Sequence, residues 1–377
     1  ASSPPPRRDP TYDHRIGFPA ETALLLRLHQ DHGTLALPQI MAPAIRAAQT
    51  GFIVTGYLET QIAKGLKKFS DPEARALFAP NGRPIRAGER LRQTALARTL
   101  MRIAADHGES FYRGDDAHIM VRDLQARGAK FVTDDFASFR PRPMVPLTLE
   151  VGAYRLIGTP PPSSAIVALA LIREWFRRRW NLDDPADAID HLRVVRALIN
   201  LKHSRLASCW QKPLRFLELA DDAVRQTTMQ LDDENALSTS EDEPPEHTTH
   251  LVVWDKTGMI VTMTLTLGTH WGTKDFCPLG FFYNSEGLLF RHAGHTFPAD
   301  YPTTVGPISA KSPVLVLKDR KPLMAIGGAG SNRIVANVGT IAGAVLFGGH
   351  RLEEALHAPR RMPDPQKLYL EWGTPDT

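Results

Sequence analysis

Cysteine is scarce in this sequence: its 377 residues include only Cys209 and Cys277. Two thiols cannot form the multiple bridges of a small disulfide scaffold, nor can they supply the four ligands of a zinc ribbon. A single disulfide between them stays open, but two separate buried thiols are the favoured interpretation. The structure is therefore expected to be held together by a hydrophobic core.

A long apolar run is also missing. The longest uncharged apolar stretch covers 334–349 and includes Asn337 and Thr340, so it is too short and too polar to cross a bilayer as a helix. Near the N-terminus, the segment 4–8 is PPPRR and no apolar signal core accompanies it. The sequence therefore predicts no membrane span, and this end of the chain does not indicate a localisation.

Charges of the two signs are nearly balanced, with 45 Lys and Arg against 41 Asp and Glu and a net charge of +4. Without a basic tract, this small excess argues against a nucleic-acid partner. Hydrophobic residues make up 42% of the chain and charged residues 23%, which is ordinary for a soluble globular protein. Disorder, collagen and coiled coil are excluded as descriptions of the whole chain.

The first half of the chain has a mainly helical pattern. Residues 1–18 are predicted to be a flexible tail, and apolar residues recur at helical spacing from Ala20 to Ala105. Prolines interrupt the stretch from Phe131 to Leu156, which predicts short extended pieces. The segment Pro160–Ser164 then stops the chain and caps a helix that is predicted over 165–180.

An acidic segment separates this half from the rest. Residues 231–246 contain seven acidic residues, no cation and no aromatic residue, a composition typical of a solvated linker. An acidic binding segment is the alternative. Directly afterwards the pattern changes from helical to strand-like spacing.

A β-hairpin is predicted immediately after the acidic linker. Residues 248–255 are rich in β-branched and apolar side chains, and residues 259–267 alternate with period two. Between them, Lys256–Gly258 forms a three-residue loop with glycine where a left-handed backbone is needed. If Asp255 faces Met259, Thr248 at the start of the first strand lies opposite Thr266.

A second hairpin, around Lys318–Lys321, leads into a glycine-rich turn over 327–333 and then into a helix that ends at Gly348. The amides of Gly330 and Ser331 would lie at the start of this helix, where backbone N–H groups can bind an anion. The spacing matches neither a P-loop nor a dinucleotide-binding motif. An oxyanion hole requires the same geometry, and a tight helix entry without a ligand is the simplest alternative.

A threonine that follows a flexible linker and begins a strand indicates a self-cleaving N-terminal nucleophile. The Thr248 hydroxyl would attack the carbonyl of His247, and hydrolysis of the resulting ester would make Thr248 a chain terminus. Its α-amine, with a reference pKa of about 7.7–8.0, can then act as the base for its own hydroxyl. The alternative is that these threonines only fill a sheet.

Several ordered blocks of the sequence resemble the gamma-glutamyltransferase family. One block starts the region after the linker, and others lie on both sides of it, so that the resemblance covers roughly residues 18 to 363. The matching blocks are APAIRAA at 42–48, FYRG at 111–114, PPPSS at 160–164, TTHLVV at 248–253 followed by DKTG at 255–258, SPVLVLKD at 312–319, GGAGSNRI at 327–334 and EEALHAPR at 353–360.

The resemblance implies an α+β fold, a four-layer αββα sandwich of the N-terminal nucleophile hydrolase type. It implies autoproteolysis between His247 and Thr248, which would divide the chain into a large-subunit-like region, 19–247, and a small-subunit-like region, 248–377. For this family the chain is shortened at both ends. Family members are periplasmic or extracellular, and no signal peptide is visible here.

The family's catalytic residues can be transferred one by one. The nucleophile corresponds to Thr248 and the supporting threonine to Thr266. The pair of glycines whose amides hold the oxyanion corresponds to Gly330 and Ser331, and a backbone N–H survives the change from glycine to serine when the backbone shape is kept. The acyl-transfer residues are therefore expected to be complete.

The residues that hold an α-amino acid substrate depart from the family pattern. Of two adjacent serines that bind the α-carboxylate, Ser309 is present and its partner is Ala310. The family's asparagine corresponds to Gly268, and the acidic residue that binds the α-ammonium corresponds to Leu289. Glu286 lies where the family has a polar substrate contact and is interpreted either as such a contact or as a surface carboxylate. The arginine segment that clamps the carboxylate is absent.

The predicted function is therefore a gamma-glutamyltransferase-like amidohydrolase or acyltransferase with altered specificity, acting on a small-molecule acyl amide or peptide without a cofactor. Efficient cleavage of glutathione is not expected. No metal is expected either, and His292 and His295 are interpreted as loop residues. The predicted partners include no nucleic acid, and a cleaved chain would form a heterodimer of its own two fragments. The alternative is a non-catalytic relative that acts as a scaffold or binding protein.

Overall fold

The computed structural model describes residues 15–229, 238–239, 246–291, 297, 300–301, 305–363 and 367–370. The helices are α1 (Glu21–His32), α2 (Leu37–Thr50), α3 (Gly56–Leu66), α4 (Pro72–Phe78), α5 (Thr94–Asp106), α6 (Glu109–Tyr112), α7 (Asp115–Arg127), α8 (Thr133–Ser138), α9 (Ala165–Arg178), α10 (Pro185–Arg205), α11 (Arg215–Met229), α12 (Asn332–Phe347) and α13 (Leu352–His357). The strands are β1 (Phe52–Ile53), β2 (Arg90–Leu91), β3 (Leu147–Val151), β4 (Tyr154–Gly158), β5 (Ser238–Thr239), β6 (Glu246–Trp254), β7 (Ile260–Thr269), β8 (Phe276–Cys277), β9 (Phe281–Phe282), β10 (Val314–Lys318), β11 (Lys321–Ile326), β12 (Arg361–Pro363) and β13 (Lys367–Leu370).

The chain divides into two compact units. The predicted cleavage point at 247/248 would separate two subunits and not these two units, and it stays a prediction. The first unit comprises residues 1–143 and 267–288, and the second comprises 144–266 and 289–377. The boundary therefore passes through β7, whose last three residues belong to the first unit.

The first unit is mainly helical. Its core contains the fully buried Met120, Leu124 and Phe136 and a separate aromatic group around Phe69 and Phe282. Aromatic side chains of this size contribute most of the apolar area that such a small core can bury. The helical pattern predicted from residue 20 onwards is confirmed for this unit.

A buried arginine ties the separate segments of the first unit together. The Arg127 guanidinium donates hydrogen bonds to Asp71, Asp123 and Asp275 and to the carbonyl of Phe276. A buried carboxylate without a partner destabilises the folded state. The guanidinium group can donate several hydrogen bonds at once, so it satisfies these carboxylates together. This network anchors β8 to α7, although the two elements are about 150 residues apart in the sequence.

The second unit is built on an antiparallel sheet with the strand order β11-β10-β4-β3. Asp319 and Arg320 both have positive φ, as a two-residue type I′ turn between β10 and β11 requires. Helix α12 lies against α9, where ideal Cβ atoms on Gly339 and Gly343 would come within 2.7 Å of Leu171 and 2.2 Å of Trp175. Glycine is therefore needed at both positions because the two helices touch.

Two boundary predictions need correction. The tail predicted over 1–18 is shorter, because Ile16 is buried and Phe18 stacks on Phe139. Within the predicted linker, Ser238–Thr239 pairs with β13 and Glu246 already belongs to β6; its other residues, 231–237 and 240–245, lie outside the described part of the chain.

The region 131–156 is not wholly extended. It begins with the short helix α8, because the Asp135 carboxylate accepts a hydrogen bond from the Val132 amide and Phe136 is fully buried. Strands β3 and β4 then follow, as predicted for extended pieces. Both cysteines are buried and free, so the prediction of two separate thiols is confirmed.

The buried His191 makes the second unit sensitive to acid. Its ring makes edge contacts with both Trp175 and Trp180, which also contact each other, and Nε2 is 3.0 Å from the Thr340 hydroxyl. Burial lowers the pKa of His191 to about 3. Between that value and about 6.5, the unfolded chain binds a proton that the folded chain excludes, so the free energy of unfolding decreases as the pH falls, by about 1.4 kcal/mol per unit.

We expect His191→Gln to remove this contribution to the slope of the free energy of unfolding against pH. Urea denaturation, followed by tryptophan fluorescence at pH 7, 6, 5 and 4, measures it. His357→Gln, at an exposed helix end, serves as the control and should leave the wild-type slope. An unchanged slope in His191→Gln would show that His191 does not cause the acid sensitivity.

Candidate active site

The β6–β7 hairpin places two threonines side by side. The Asp255 amide donates to the Met259 carbonyl at 3.0 Å, and the Asp255 carboxylate accepts from the Thr257 and Met259 amides. Gly258 has φ +92°, the left-handed conformation that the loop requires. Thr248 lies seven residues before Asp255 and Thr266 lies seven residues after Met259, so the two threonines face each other. This is the register that was predicted from the loop.

The Thr248 and Thr266 hydroxyl oxygens are 3.4 Å apart, with Thr248 as the donor. This distance is long for an O–H···O hydrogen bond, so the hydrogen bond is weak. The strand pairing, and not this bond, keeps the two side chains adjacent. Both residues are half-buried. Strand β6 begins at Glu246, two residues before Thr248.

His250 lies two residues beyond Thr248, and its ring has neighbours on two elements. Its Nδ1 is 2.9 Å from the Thr264 hydroxyl, and its Nε2 is 3.3 Å from the Thr262 hydroxyl. The ring packs against Gly327, where an ideal Cβ would lie 2.1 Å from Cε1. Burial lowers the pKa of His250, which favours the neutral ring. Period-two spacing in a strand places its side chain on the same face as that of Thr248, and this spacing is the one sequence signal that points to His250.

The glycine-rich turn, defined here as Gly327–Ser331, connects β11 to α12. The Gly330 carbonyl accepts from the Arg333 amide at 3.0 Å, and the Ser331 carbonyl accepts from the Ile334 amide at 2.9 Å. Helix α12 thus starts at the turn, and the first amides of a helix have no partner within it. The predicted oxyanion donors, Gly330 and Ser331, lie at this position.

Ser331 has a backbone conformation that favours glycine, with φ 51° and ψ −127°. A non-glycine residue held in such a region costs about 1–3 kcal/mol. We expect Ser331→Gly to raise the free energy of unfolding by about 1 kcal/mol relative to Ser331→Ala, because only glycine removes the strain. Chemical denaturation of the three proteins measures the difference. Equal stability of the glycine and alanine variants would mean that the backbone is not strained.

Ser309 is fixed by the predicted Pro160–Ser164 segment. Its amide donates to the Pro162 carbonyl at 3.0 Å, and its carbonyl accepts from the Ser164 hydroxyl at 2.6 Å. The Ser309 hydroxyl accepts from the Lys311 amide at 3.4 Å. Ala310, in place of a second serine, packs against the apolar core. This position therefore offers one serine hydroxyl, that of Ser309, where the family pattern has two.

Gly268 and Glu286 are neighbours in the first unit. Gly268 has φ +85°, and an ideal Cβ there would lie 2.5 Å from the Ser285 hydroxyl and 3.2 Å from the Glu286 carboxylate. A side chain at 268 would therefore be strained and crowded, so the family's asparagine cannot be restored by a simple substitution. Leu289 is half-buried in a 3₁₀ helix, Glu286–Arg291.

Other candidate sites are weaker. Within the described ranges, no group of three His, Cys, Asp or Glu side chains is arranged to hold a metal ion. His292 and His295 lie outside these ranges. The helices of the described segments also include none with the length and apolar character that a membrane crossing demands.

Comparison with known proteins identifies the family. The family profile described as gamma-glutamyltranspeptidase matches residues 7–377. The glutathione hydrolase proenzymes of Pseudomonas sp. (strain A14) and Escherichia coli (strain K12) are each 27% identical, over 95% and 96% of this chain and 69% and 67% of their own lengths. The crystal structure of cephalosporin acylase from Bacillus halodurans has the same fold, with a TM-score of 0.79 over 99% of this chain and 70% of that one, at 23% identity. The four-layer sandwich itself stays a prediction, but this chain, with Thr248 beside Thr266 and a helix-capping glycine turn, belongs to the gamma-glutamyltranspeptidase family.

Proposed function

We propose that the protein is an amidohydrolase or acyltransferase whose nucleophile is Thr248, released as an N-terminus by autoproteolysis. The observation that carries the proposal is the placement of Thr248 on β6, 3.4 Å from the Thr266 hydroxyl and two residues from His250, which contacts the glycine-rich turn. A nucleophile, a hydroxyl to orient it and a set of backbone donors are the components of an acyl-transfer site.

Cleavage comes first in the proposed sequence. The Thr248 hydroxyl oxygen attacks the His247 carbonyl carbon, the C–N bond breaks, and the acyl group moves from nitrogen to oxygen. Water then hydrolyses the ester, leaving a carboxylate on His247 and a free α-amine on Thr248. Atoms balance with one water consumed, and no cofactor is needed.

Turnover uses the released amine. At neutral pH an α-amine with a pKa of about 7.7–8.0 is partly unprotonated, so it can accept the hydroxyl proton as Thr248 Oγ attacks the substrate amide carbonyl. The amides of Gly330 and Ser331 would donate to the resulting oxyanion; removal of one side-chain donor from the oxyanion hole of a serine protease costs about 2.7–4 kcal/mol. The leaving amine takes the proton, and water or a second amine releases the acyl group.

The substrate proposed is an acyl amide whose acyl group lacks the α-ammonium of a γ-glutamyl group. Leu289 stands where the family has its acidic residue, and Ala310 removes one hydroxyl from the carboxylate contact. A glutaryl or more apolar acyl amide fits these side chains. This chain covers about two thirds of the length of the relatives named glutathione hydrolase proenzymes. Their substrate is therefore not assigned to this protein.

A non-catalytic scaffold is the second candidate, favoured by Gly268, where the conformation excludes the family's polar side chain. Intact mass and N-terminal sequencing separate the two functions. The enzyme is expected to give fragments 1–247 and 248–377, with threonine at the new N-terminus. A chain that stays uncut after prolonged incubation would contradict the proposed mechanism and leave the scaffold.

A further inference from the structure

We propose that His250 is a positioning residue that sets the distance between the nucleophile strand and the glycine-rich turn. The inference rests on the proposed function, because it assigns to His250 the alignment of Thr248 with the oxyanion donors. His250 itself does not take part in the chemical steps.

The His250 ring is packed so closely against Gly327 that no side chain fits at position 327. An ideal Cβ on Gly327 would lie 2.1, 2.4 and 2.6 Å from Cε1, Nδ1 and Nε2 of the ring. Gly327 does not have the positive φ that would require glycine on conformational grounds. Glycine is therefore present at 327 because the imidazole occupies the space of a side chain.

The ring cannot easily move away from this contact. Thr264 and Thr262 lie on the neighbouring strand and bind one ring nitrogen each, at 2.9 and 3.3 Å. Hydroxyl groups both donate and accept, so they satisfy either neutral tautomer. Rotation of the ring would break both interactions, and β-branched threonines have few alternative rotamers.

The contact lies close to both parts of the candidate site. His250 follows Thr248 by two residues, so in an extended strand the two side chains share a face and lie about 7 Å apart. Gly327 precedes the proposed donor Gly330 by three residues. The imidazole therefore links the strand of the nucleophile to the turn of the donors, and a misplacement of about 1 Å in such a site can cost about a hundredfold in rate.

The turn offers a matched pair of substitutions. An ideal Cβ on Gly327 meets the ring, whereas one on Gly328 meets nothing within 4 Å, and neither residue has positive φ. We expect Gly327→Ala to lower kcat for an acyl anilide by about ten- to a hundredfold with KM changed less than about threefold. Gly328→Ala, which carries no assigned role, should stay within about twofold of wild type.

A double-mutant cycle tests whether the ring is the cause. His250→Ala removes the obstacle, so His250→Ala/Gly327→Ala should have the kcat of His250→Ala alone. His250→Asn keeps a polar atom near Thr264 and should restore part of the loss seen with His250→Ala. Independent effects of the two substitutions, or equal effects at Gly327 and Gly328, would overturn the proposal.

The same cycle measured by thermal denaturation examines the contact without turnover. A coupling between His250 and Gly327 in stability is expected whether or not the protein is an enzyme. If the wild-type protein has no activity but the His250–Gly327 coupling in stability is present, the proposed function is refuted, and so is the role of His250 in aligning the site. Only the packing contact would then be supported. If wild type is active and no coupling is found in either measurement, only the role of His250 is refuted.

Discussion

Replacement of Thr248 by alanine is expected to leave the chain uncut and to lower kcat for an acyl anilide by a factor on the order of 10⁴ or more. Alanine lacks the hydroxyl that forms both the ester at His247 and the acyl-enzyme, so the two losses have one cause. Intact mass measures the first loss, and steady-state kinetics of anilide release measures the second.

Two further variants make this result specific. Thr248→Ser retains a hydroxyl and should be cut, more slowly, because serine lacks the β-branch that restricts the side-chain rotamer. Thr266→Val removes the hydroxyl 3.4 Å from Thr248 but keeps the branched shape, and should reduce kcat without abolishing cleavage. Full cleavage and activity in Thr248→Ala would place the nucleophile elsewhere.

The second large effect is expected in substrate choice. We predict that a glutaryl anilide is turned over with a kcat/KM at least about tenfold above that of a γ-glutamyl anilide. The two compounds differ only by the α-amino group, and a partly buried ammonium without a counter-charge loses hydration that Leu289 cannot replace. A factor of ten corresponds to about 1.4 kcal/mol. Faster turnover of the γ-glutamyl compound would refute this specificity.

Neighbouring leucines in the same 3₁₀ helix provide the matched test. Leu289→Asp introduces the missing carboxylate and should raise kcat/KM for the γ-glutamyl anilide while lowering it for the glutaryl compound. Leu288 is exposed, so Leu288→Asp adds the same charge one residue away and should leave the ratio unchanged. Equal shifts in both variants would indicate a general electrostatic effect instead of a specific contact.

The parts of the fold that depend on local pattern could be predicted from the sequence. The loop at Lys256–Gly258 determines the register of its hairpin, and that register alone brings Thr248 to Thr266. The helix at 165–180 and the hairpin before the glycine-rich turn were equally predictable, since periodicity and turn residues specify them. Helix α8 was missed because its stability comes from one side-chain cap and one buried phenylalanine.

The remaining features of the candidate site depend on distant contacts or on backbone shape. His250 and Gly327 are far apart in the chain, and no local pattern links a histidine to a glycine that makes room for it. Serine does not signal a positive φ, so the strain at Ser331 could not be predicted either. The roles of Gly268, Leu289, Glu286 and Ser309 come from family resemblance and not from local pattern.

The glycines on the inner face of α12 limit how this site can adapt. Because Gly339 and Gly343 lie directly on Leu171 and Trp175, the helix has no clearance in which to slide or tilt towards α9. The proposed oxyanion donors lie in the turn that leads directly into α12, so their position depends on how closely α12 packs against α9. Room for larger or smaller acyl groups must then come from exchanged side chains such as that of Leu289, and substrate preference can diversify while the acyl-transfer geometry stays constant.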